Sequence, residues 1–296
     1  MSPTSDTLPD FLVIAAPRSG TTWLHQALAA HPGVFVPTRR KEVHFLDRHF
    51  DRGIEWYAKF FTAADPGQRI GEITPHYLYC ETLTQRLTLL PSVRQLVAVL
   101  RDPVERAFSH FRWRIRHDAY PGSFEQFLRD YPEAISWGEY AAHLCALDKW
   151  IHPERLLVLR YEHLFSPSSA IVEAELDRVA TFLGINAAPF YEKPIAQRVN
   201  AGTIPRYPKL SRAASRAAQW LRRRDLDWAV NAARSAGLKR VANRGVRTLE
   251  GPKPDTVVRL NRLFDADVAR LRALTGLEFD GWLADQRPHA FWRSGK

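Results

Sequence analysis

Cysteine is nearly absent: Cys80 and Cys145 are the two in 296 residues, with no CxxC and no Cys/His pair at zinc-site spacing. Neither a disulfide framework nor a structural zinc motif is indicated, and a reducing cytoplasm fits. Long apolar runs are missing too. No stretch approaches the roughly 20 residues of a membrane span, and the polar opening "MSPTSDTLPD" carries no basic and apolar leader pattern. The chain is expected to be unprocessed, soluble and cytoplasmic, without integral membrane association and with a flexible N-terminus over 1–10. Negative charge is the third shortage. Lys and Arg number 42 against 32 Asp and Glu, a net charge of +10, which points to a polyanionic ligand, an acidic acceptor, nucleic acid or an anionic membrane.

Hydrophobic residues make up 45% of the chain, enough to bury one large core. The short runs "FLVIA" (11–15), "VFVP" (34–37), "QLVAVL" (95–100) and "RLLVLR" (155–160) are almost continuously apolar, as strands buried on both faces are. Between them lies helical spacing such as Leu24, Ala27, Leu28 and Tyr140, His143, Leu144, Leu147. Alternation of this kind predicts an α/β fold, a single domain over 1–296 with a central parallel β-sheet flanked by helices. After "FLGI" (182–185), residues 186–209 hold four prolines and little periodicity, and 210–247 are rich in Arg and Ala. The span 186–253 reads as an irregular and helical acceptor or lid region. Its Arg/Ala part is amphipathic enough to lie on an anionic membrane or to pack against the sheet.

The stretch "FLVIAAPRSGTTWLHQAL" (11–28) sets a strand, a turn and a helix in succession. Backbone amides at such a turn meet the positive end of the helix dipole, which makes an anion site. Gly20 permits a positive φ and close backbone approach, Ser19, Thr21 and Thr22 offer hydroxyls, and Arg18 brings a permanent forked charge. A phosphate or sulfate group suits the set; the plainer alternative is a glycine turn with a threonine cap. The nucleotide motif GxxxxGK[ST] is absent, since no Lys follows Gly20 and no upstream Gly stands at the required spacing.

A second stretch, "VAVLRDPVERAFSHFRWRIRH" (97–117), repeats the logic. Asp102 can cap, Pro103 suits the first helical position, and Arg101 sits at the carboxyl end of the strand. Ser109 follows about two helical turns later, so Arg101 and Ser109 could converge on one phosphate. Two anion sites at strand carboxyl ends imply a ligand with two separated anionic groups. Against this stand a salt bridge from Arg101 to Asp102 or Glu105 and an ordinary helix-surface position for Ser109. "FRWRIRH" (111–117) offers either a cleft for an acidic glycan, with Trp113 stacking on a sugar, or a solvated arginine face over a core tryptophan.

With both stretches in view, the sequence resembles the sulfotransferases that use 3′-phosphoadenosine-5′-phosphosulfate (PAPS), closest to their bacterial and heparan sulfate branch. "PRSGTTWL" is similar to that family's 5′-phosphosulfate loop and "LRDPVERAFSHF" to its 3′-phosphate motif. "RRKEVHFLDRHFDRGIEWYAKFF" (39–61) resembles the Lys-Glu-x-His-Phe-x-Asp element of the heparan branch, and "LLVLRYEHL" (156–164) a structural strand and helix. The resemblance implies a sulfotransferase fold related to P-loop enzymes, with a P-loop-like phosphosulfate turn. It implies sulfuryl transfer from PAPS to a hydroxyl or amine by in-line displacement, with adenosine 3′,5′-bisphosphate (PAP) leaving and no metal. Arg18, Ser19, Gly20, Thr21, Thr22 and Trp23 would surround the phosphosulfate, and Arg101 and Ser109 would take the 3′-phosphate.

Glu42 is the implied base, with Lys41 and His44 beside it to hold its ionised form; His44 is the competing base, and a salt bridge from Glu42 to Arg39 or Arg40 is the structural alternative. Arg18 stands where the family usually has Lys, and "GEITP" (71–75) puts Ile73 where the heparan enzymes carry another Lys. "NAGTIPRYP" (200–208) occupies the region of their adenine-side loop and offers Arg206 to the 3′-phosphate. The acceptor would be a small molecule, a lipid or a saccharide, and nucleic acid is not expected. No motif names the acceptor or the oligomeric state. A nucleotide kinase of related architecture, or a noncatalytic basic module that binds nucleic acid or anionic membrane, is the alternative function.

Overall fold

The computed structural model describes residues 8–192 and 251–282, with Ala217, Ala218, Trp220, Leu221 and Arg224 between them. Arg206 and most of the region 186–253 lie outside the described residues. In chain order the main elements are β1 (Phe11–Ala15), α1 (Thr21–Ala30), β2 (Val34–Phe35), α2 (Phe45–Arg48), β3 (Arg69–Ile73), β4 (Gln95–Leu100), α3 (Pro103–Asp118), β5 (Leu156–Arg160), α4 (Ser169–Leu183) and α5 (Pro254–Thr275). The architecture is the expected parallel sheet flanked by helices. Two compact units make it up: Met1–Asp102 with Glu139–Val199 and Ala266–Phe279, and Pro103–Gly138 with Asn200–Asp265 and Asp280–Lys296.

The first unit holds the sheet, ordered β2-β3-β1-β4-β5 with every pair parallel. Register runs Phe11 beside Gly71 on one flank and Val13 beside Val97 on the other. All five residues of β1 are fully buried, which is why that strand reads as an unbroken apolar run. Trp23, Leu24 and Leu28 of α1 and Leu176, Val179 and Leu183 of α4 share one core with Phe11, Val13, Val97 and Leu159. Helix α1 stops at His31, whose ψ of 123° is the extended conformation required before Pro32. From β1 the chain turns to the β3 side, whereas β4 lies on the other. The carboxyl ends of β1 and β4 therefore flank a topological switch point, where open α/β sheets take their ligands.

Strand β3 is the element the hydrophobic pattern does not announce. Its sequence "RIGEI" carries Gly71 and Glu72, yet four of its five residues are buried. A Cβ at Gly71 would lie 2.1 Å from the Phe11 ring, so the glycine makes room for the neighbouring strand's aromatic. The Glu72 carboxylate is fully buried and accepts hydrogen bonds from Tyr57 (2.6 Å), Tyr77 (2.9 Å) and the Thr74 hydroxyl. Burial raises its pKa despite those three donors. Leu8 to Asp10 depart from the expected flexible N-terminus over 1–10. Asp10 donates to the Ile70 carbonyl and accepts from Arg94 along the backbone, and its side chain pairs with Arg69 at 2.7 Å.

The second unit is built on α3, with Pro103 at its first position as expected. Phe108, Phe111, Phe124 and Phe127 pack against one another. Trp113 stacks on His117 at 4.6 Å, while Arg114 pairs with Asp118 at 2.8 Å and lies over the Tyr131 ring. Arg114 is thus engaged by its own unit, and Trp113 is half-buried on the helix and not in the core.

Candidate active site

Helix α1 begins at the carboxyl end of β1 with no side chain capping it, so its first-turn amides face out from the strand end. Gly20 adopts φ 85° and ψ 9° at the N-cap, the left-handed conformation its sequence context suggests. It is needed for space as well, because an added Cβ would sit 2.5 Å from Phe165 Cε2 and 3.0 Å from Tyr161. Arg18 also has a positive φ, 80°, strain of the kind that sites over-determined by their surroundings retain. Ser19 is fully buried and its hydroxyl has no hydrogen-bond partner among the described residues. A left-handed turn, an uncapped helix and an unsatisfied buried hydroxyl fit the phosphosulfate expected there.

Gly20→Ala combines a left-handed penalty of about 1–3 kcal/mol with overpacking of about 1–3 kcal/mol. Urea denaturation is expected to show a loss of about 2–6 kcal/mol from those two sources. Gly184→Ala, at φ 67° and ψ 38° with open space around the new carbon, should show the conformational part alone. Equal losses in the two variants would contradict the steric argument.

Lys41, expected beside Glu42, also reaches the turn. Its ammonium lies 3.2 Å from Thr21 Oγ1, 3.2 Å from Thr22 Oγ1 and 3.3 Å from Glu42 Oε1. It bridges the turn and the carboxylate, so a lysine reaches the loop from a different segment although Arg18 occupies the loop's own position. Burial lowers its pKa, Glu42 raises it, and the Arg18 charge lowers it further. The net direction is down.

Glu42 receives the flanking charges expected of it. His44 Nε2 is 3.5 Å from Glu42 Oε2, and His44 Nδ1 is 2.8 Å from Asp47 Oδ2. Burial opposes ionisation of Glu42, but the His44 hydrogen bond and the charges of Lys41 and His44 hold its pKa down at about 2. For His44, burial is outweighed by the hydrogen bonds of Asp47 and Glu42, which raise its pKa to about 8. The two titrate as a pair, ionised and mutually held at neutral pH. His44 has φ 58°. It is kept there by α2, which follows it, and by the Leu46 amide donating to Tyr77, whose hydroxyl donates in turn to Glu72. The buried Glu72 network thus anchors the segment that carries Lys41, Glu42 and His44.

These shifts set a stability window. Glu42's contribution is complete above its ordinary value of 4.5 and is lost as pH falls through about 2. That of His44 is complete below its ordinary 6.5 and is lost as pH rises through about 8. Thermal melts should therefore be flat between about pH 4.5 and 6.5 and decline on the alkaline side. His44→Asn should flatten that alkaline decline; an unchanged limb would refute the pairing.

Arg101, at the end of β4, donates to the Arg18 carbonyl at 3.3 Å and lies 4.3 Å from the centroid of Tyr161. Tyr161 and Phe165, tilted 4.4 Å apart, come from the turn after β5 and cover Gly20. The structure thus brings Arg18, Ser19, Gly20, Thr21, Thr22, Lys41, Glu42, His44 and Arg101 together within the first unit. Trp23 is buried with the core residues and lies 5.6 Å from the Phe165 ring that covers Gly20. Ser109 lies on α3 of the second unit. Ile73, where a catalytic lysine was noted as missing, is fully buried core.

A family model described as "Sulfotransferase domain" matches residues 8–201. The membrane-associated sulfotransferase kil1 of Dictyostelium discoideum is 36% identical over 137 residues, 43% of this chain and 29% of that protein. Human heparan sulfate glucosamine 3-O-sulfotransferase 3B1 is 31% identical over 193 residues, 61% of this chain and 47% of its own length. The chain thus spans less than half the length of these curated relatives. A crystal structure of a sulfotransferase from Alicyclobacillus acidocaldarius superposes with a TM-score of 0.64 at 21% identity, covering 93% of this chain and 98% of that one; it supports the fold.

Proposed function

Because this chain belongs to the sulfotransferase domain family, we propose that it transfers a sulfuryl group from PAPS to a hydroxyl or amine of a small-molecule, lipid or saccharide acceptor. The observation that carries the proposal is Lys41, which joins the anion-binding turn to an ionised carboxylate within 3.3 Å. Anion binding and proton removal are thereby held side by side, as an in-line displacement needs. PAPS supplies the sulfuryl group and a bisphosphate leaving group.

The chain's own residues supply the rest. The amides of the turn, the Ser19, Thr21 and Thr22 hydroxyls, Arg18 and Lys41 hold the 5′-phosphosulfate and offset charge that grows on leaving. Arg101 takes the 3′-phosphate, with Ser109 and Arg206 assigned to it by resemblance. Glu42 accepts the acceptor's proton. With a pKa of about 2 it is a poor base towards a resting alcohol, and it takes the proton as bond formation to sulfur makes that hydroxyl acidic. Deprotonation is thus tied to transfer. His44, held by Asp47, positions Glu42 and balances its charge.

Calorimetric titration with PAP, 5′-AMP and ATP with Mg²⁺ tests the donor site. PAP is expected to bind tightest, and Arg101→Ala should cost about tenfold to a hundredfold, the range of a charge-assisted contact of about 1.5–3 kcal/mol. Preference for ATP with Mg²⁺ would move the protein to the kinases. Absence of all nucleotide binding, with salt-sensitive binding to DNA or vesicles, would make it a basic binding module.

A further inference from the structure

Two histidines and a carboxylate converge beside the loop, and the transfer reaction uses only part of what they offer. We propose that Glu42, His44 and His76 form a binding site for a zinc-class divalent metal, and that metal held there suppresses turnover by occupying the carboxylate needed as base. The second half of this inference rests on the role proposed for Glu42; the first does not.

Glu42, His44 and His76 each place one ligand atom within 4.8 Å of the other two. The Glu42 Oε2 to His44 Nε2 distance is 3.5 Å, and the two imidazole centroids are 5.5 Å apart, inclined at 51°. Donors about 2.0–2.2 Å from a tetrahedral zinc stand roughly 3.3–3.5 Å from one another. One pair is therefore already at ligand spacing, and the third group needs about 1 Å of side-chain adjustment, within the reach of a small rotation.

Asp47 adds an independent feature. It holds His44 Nδ1 at 2.8 Å, which fixes the ring and directs Nε2 towards Glu42, the carboxylate–histidine arrangement that orients metal ligands. His76 approaches from a different segment, the turn Pro75–Tyr79 that follows β3, whose neighbours Thr74 and Tyr77 are tied to buried Glu72. The ligands are thus presented from two anchored backbones. Two imidazoles, one carboxylate and an open fourth position suit zinc, whereas Mg²⁺ requires an octahedral shell of oxygens; on binding, the His44 Nε2 proton leaves to solvent and the metal takes its place beside Glu42. The ammonium of Lys41, 3.3 Å from Glu42, and Arg48, 3.6 Å from Asp47, oppose an added positive charge. They weaken metal binding relative to a site without cations beside it.

The test uses the full chain without an affinity tag, stripped with EDTA and titrated calorimetrically with ZnCl₂ and separately with MgCl₂. One zinc per chain, no binding of magnesium and at least tenfold weaker zinc binding in His76→Ala are expected. No saturable zinc binding, or equal affinity in His76→Ala, overturns the site. Should circular dichroism show that His76→Ala is unfolded, His76→Gln and Glu42→Gln carry the same comparison. In the wild type, zinc should inhibit acceptor-dependent release of PAP at the concentration at which it binds, with recovery on EDTA. Zinc that binds without inhibiting overturns the suppressive role. PAP titration on the metal-free chain reports separately on the donor site, so a chain that binds zinc but not PAP would sink the sulfotransferase proposal and support the metal site.

Discussion

Glu42→Gln is expected to reduce acceptor-dependent release of PAP from PAPS by about 10²–10⁴-fold, the range a positioned general base contributes. PAP affinity should change by less than about threefold, since the role proposed for Glu42 is that of a base towards the acceptor and not of a ligand of the donor. Glutamine keeps the length of the side chain but has a single oxygen, so of the Lys41 contact at Oε1 and the His44 contact at Oε2 only one retains its acceptor. The rate is to be read with whichever phenol, sugar or lipid the wild type sulfates best from a panel, alongside the PAP titration. A variant that keeps more than about a tenth of the rate would remove Glu42 from the role of base. His44→Asn would then be the decisive comparison, because His44 is the competing base of the same segment and lies 3.5 Å from Glu42. A variant that loses PAP binding in proportion to rate would instead show that Glu42 organises the loop through Lys41.

Lys41→Ala should have the second-largest effect, a loss of about 10²–10³-fold in the same assay, the scale found when one preorganised charge-stabilising donor is removed. It differs from Glu42→Gln in its signature. Lys41 contacts both the turn hydroxyls and the carboxylate, so its loss should weaken PAP binding as well as slow transfer. It should also let the pKa of Glu42 rise, since the Lys41 charge is among the causes that hold it near 2. Lys41→Arg should restore little. The ammonium fits between two threonine hydroxyls as a compact point charge, and a planar guanidinium on a longer stem cannot occupy the same position with the same contacts. Full recovery in Lys41→Arg would mean that charge alone matters there. Wild-type activity in Lys41→Ala would leave Arg18 as the working cation of the loop.

The primary sequence is enough to locate β1, α1, β4 and β5 to within a residue, because buried parallel strands and a one-faced helix write themselves as apolar runs and helical spacing. Gly20 was legible as a left-handed turn residue for the same local reason. The charges around Glu42 were legible too, since Lys41 and His44 are its neighbours in the chain. What stayed illegible depends on residues far apart. Strand β3 is hidden because Gly71 and Glu72 interrupt its pattern; both belong there only once Phe11 lies over the glycine and Tyr57, Thr74 and Tyr77 surround the carboxylate. The packing of Trp23 on Phe165, a residue 142 positions away that also covers Gly20, belongs to the same class.

By itself, then, the sequence determined the α/β alternation, the left-handed turn between β1 and α1 and the acidic residue set among cations, all features fixed by spacing within a few residues. Only the tertiary structure decided that Lys41 reaches Thr21 and Thr22 across 20 and 19 positions of chain, that Tyr161 and Phe165 cover Gly20, and that His76 meets Glu42 and His44. The physical reason lies in the parallel sheet. It gathers the carboxyl ends of strands distant in sequence at one edge, and side-chain reach across that edge is set by strand order and register, which no local pattern encodes.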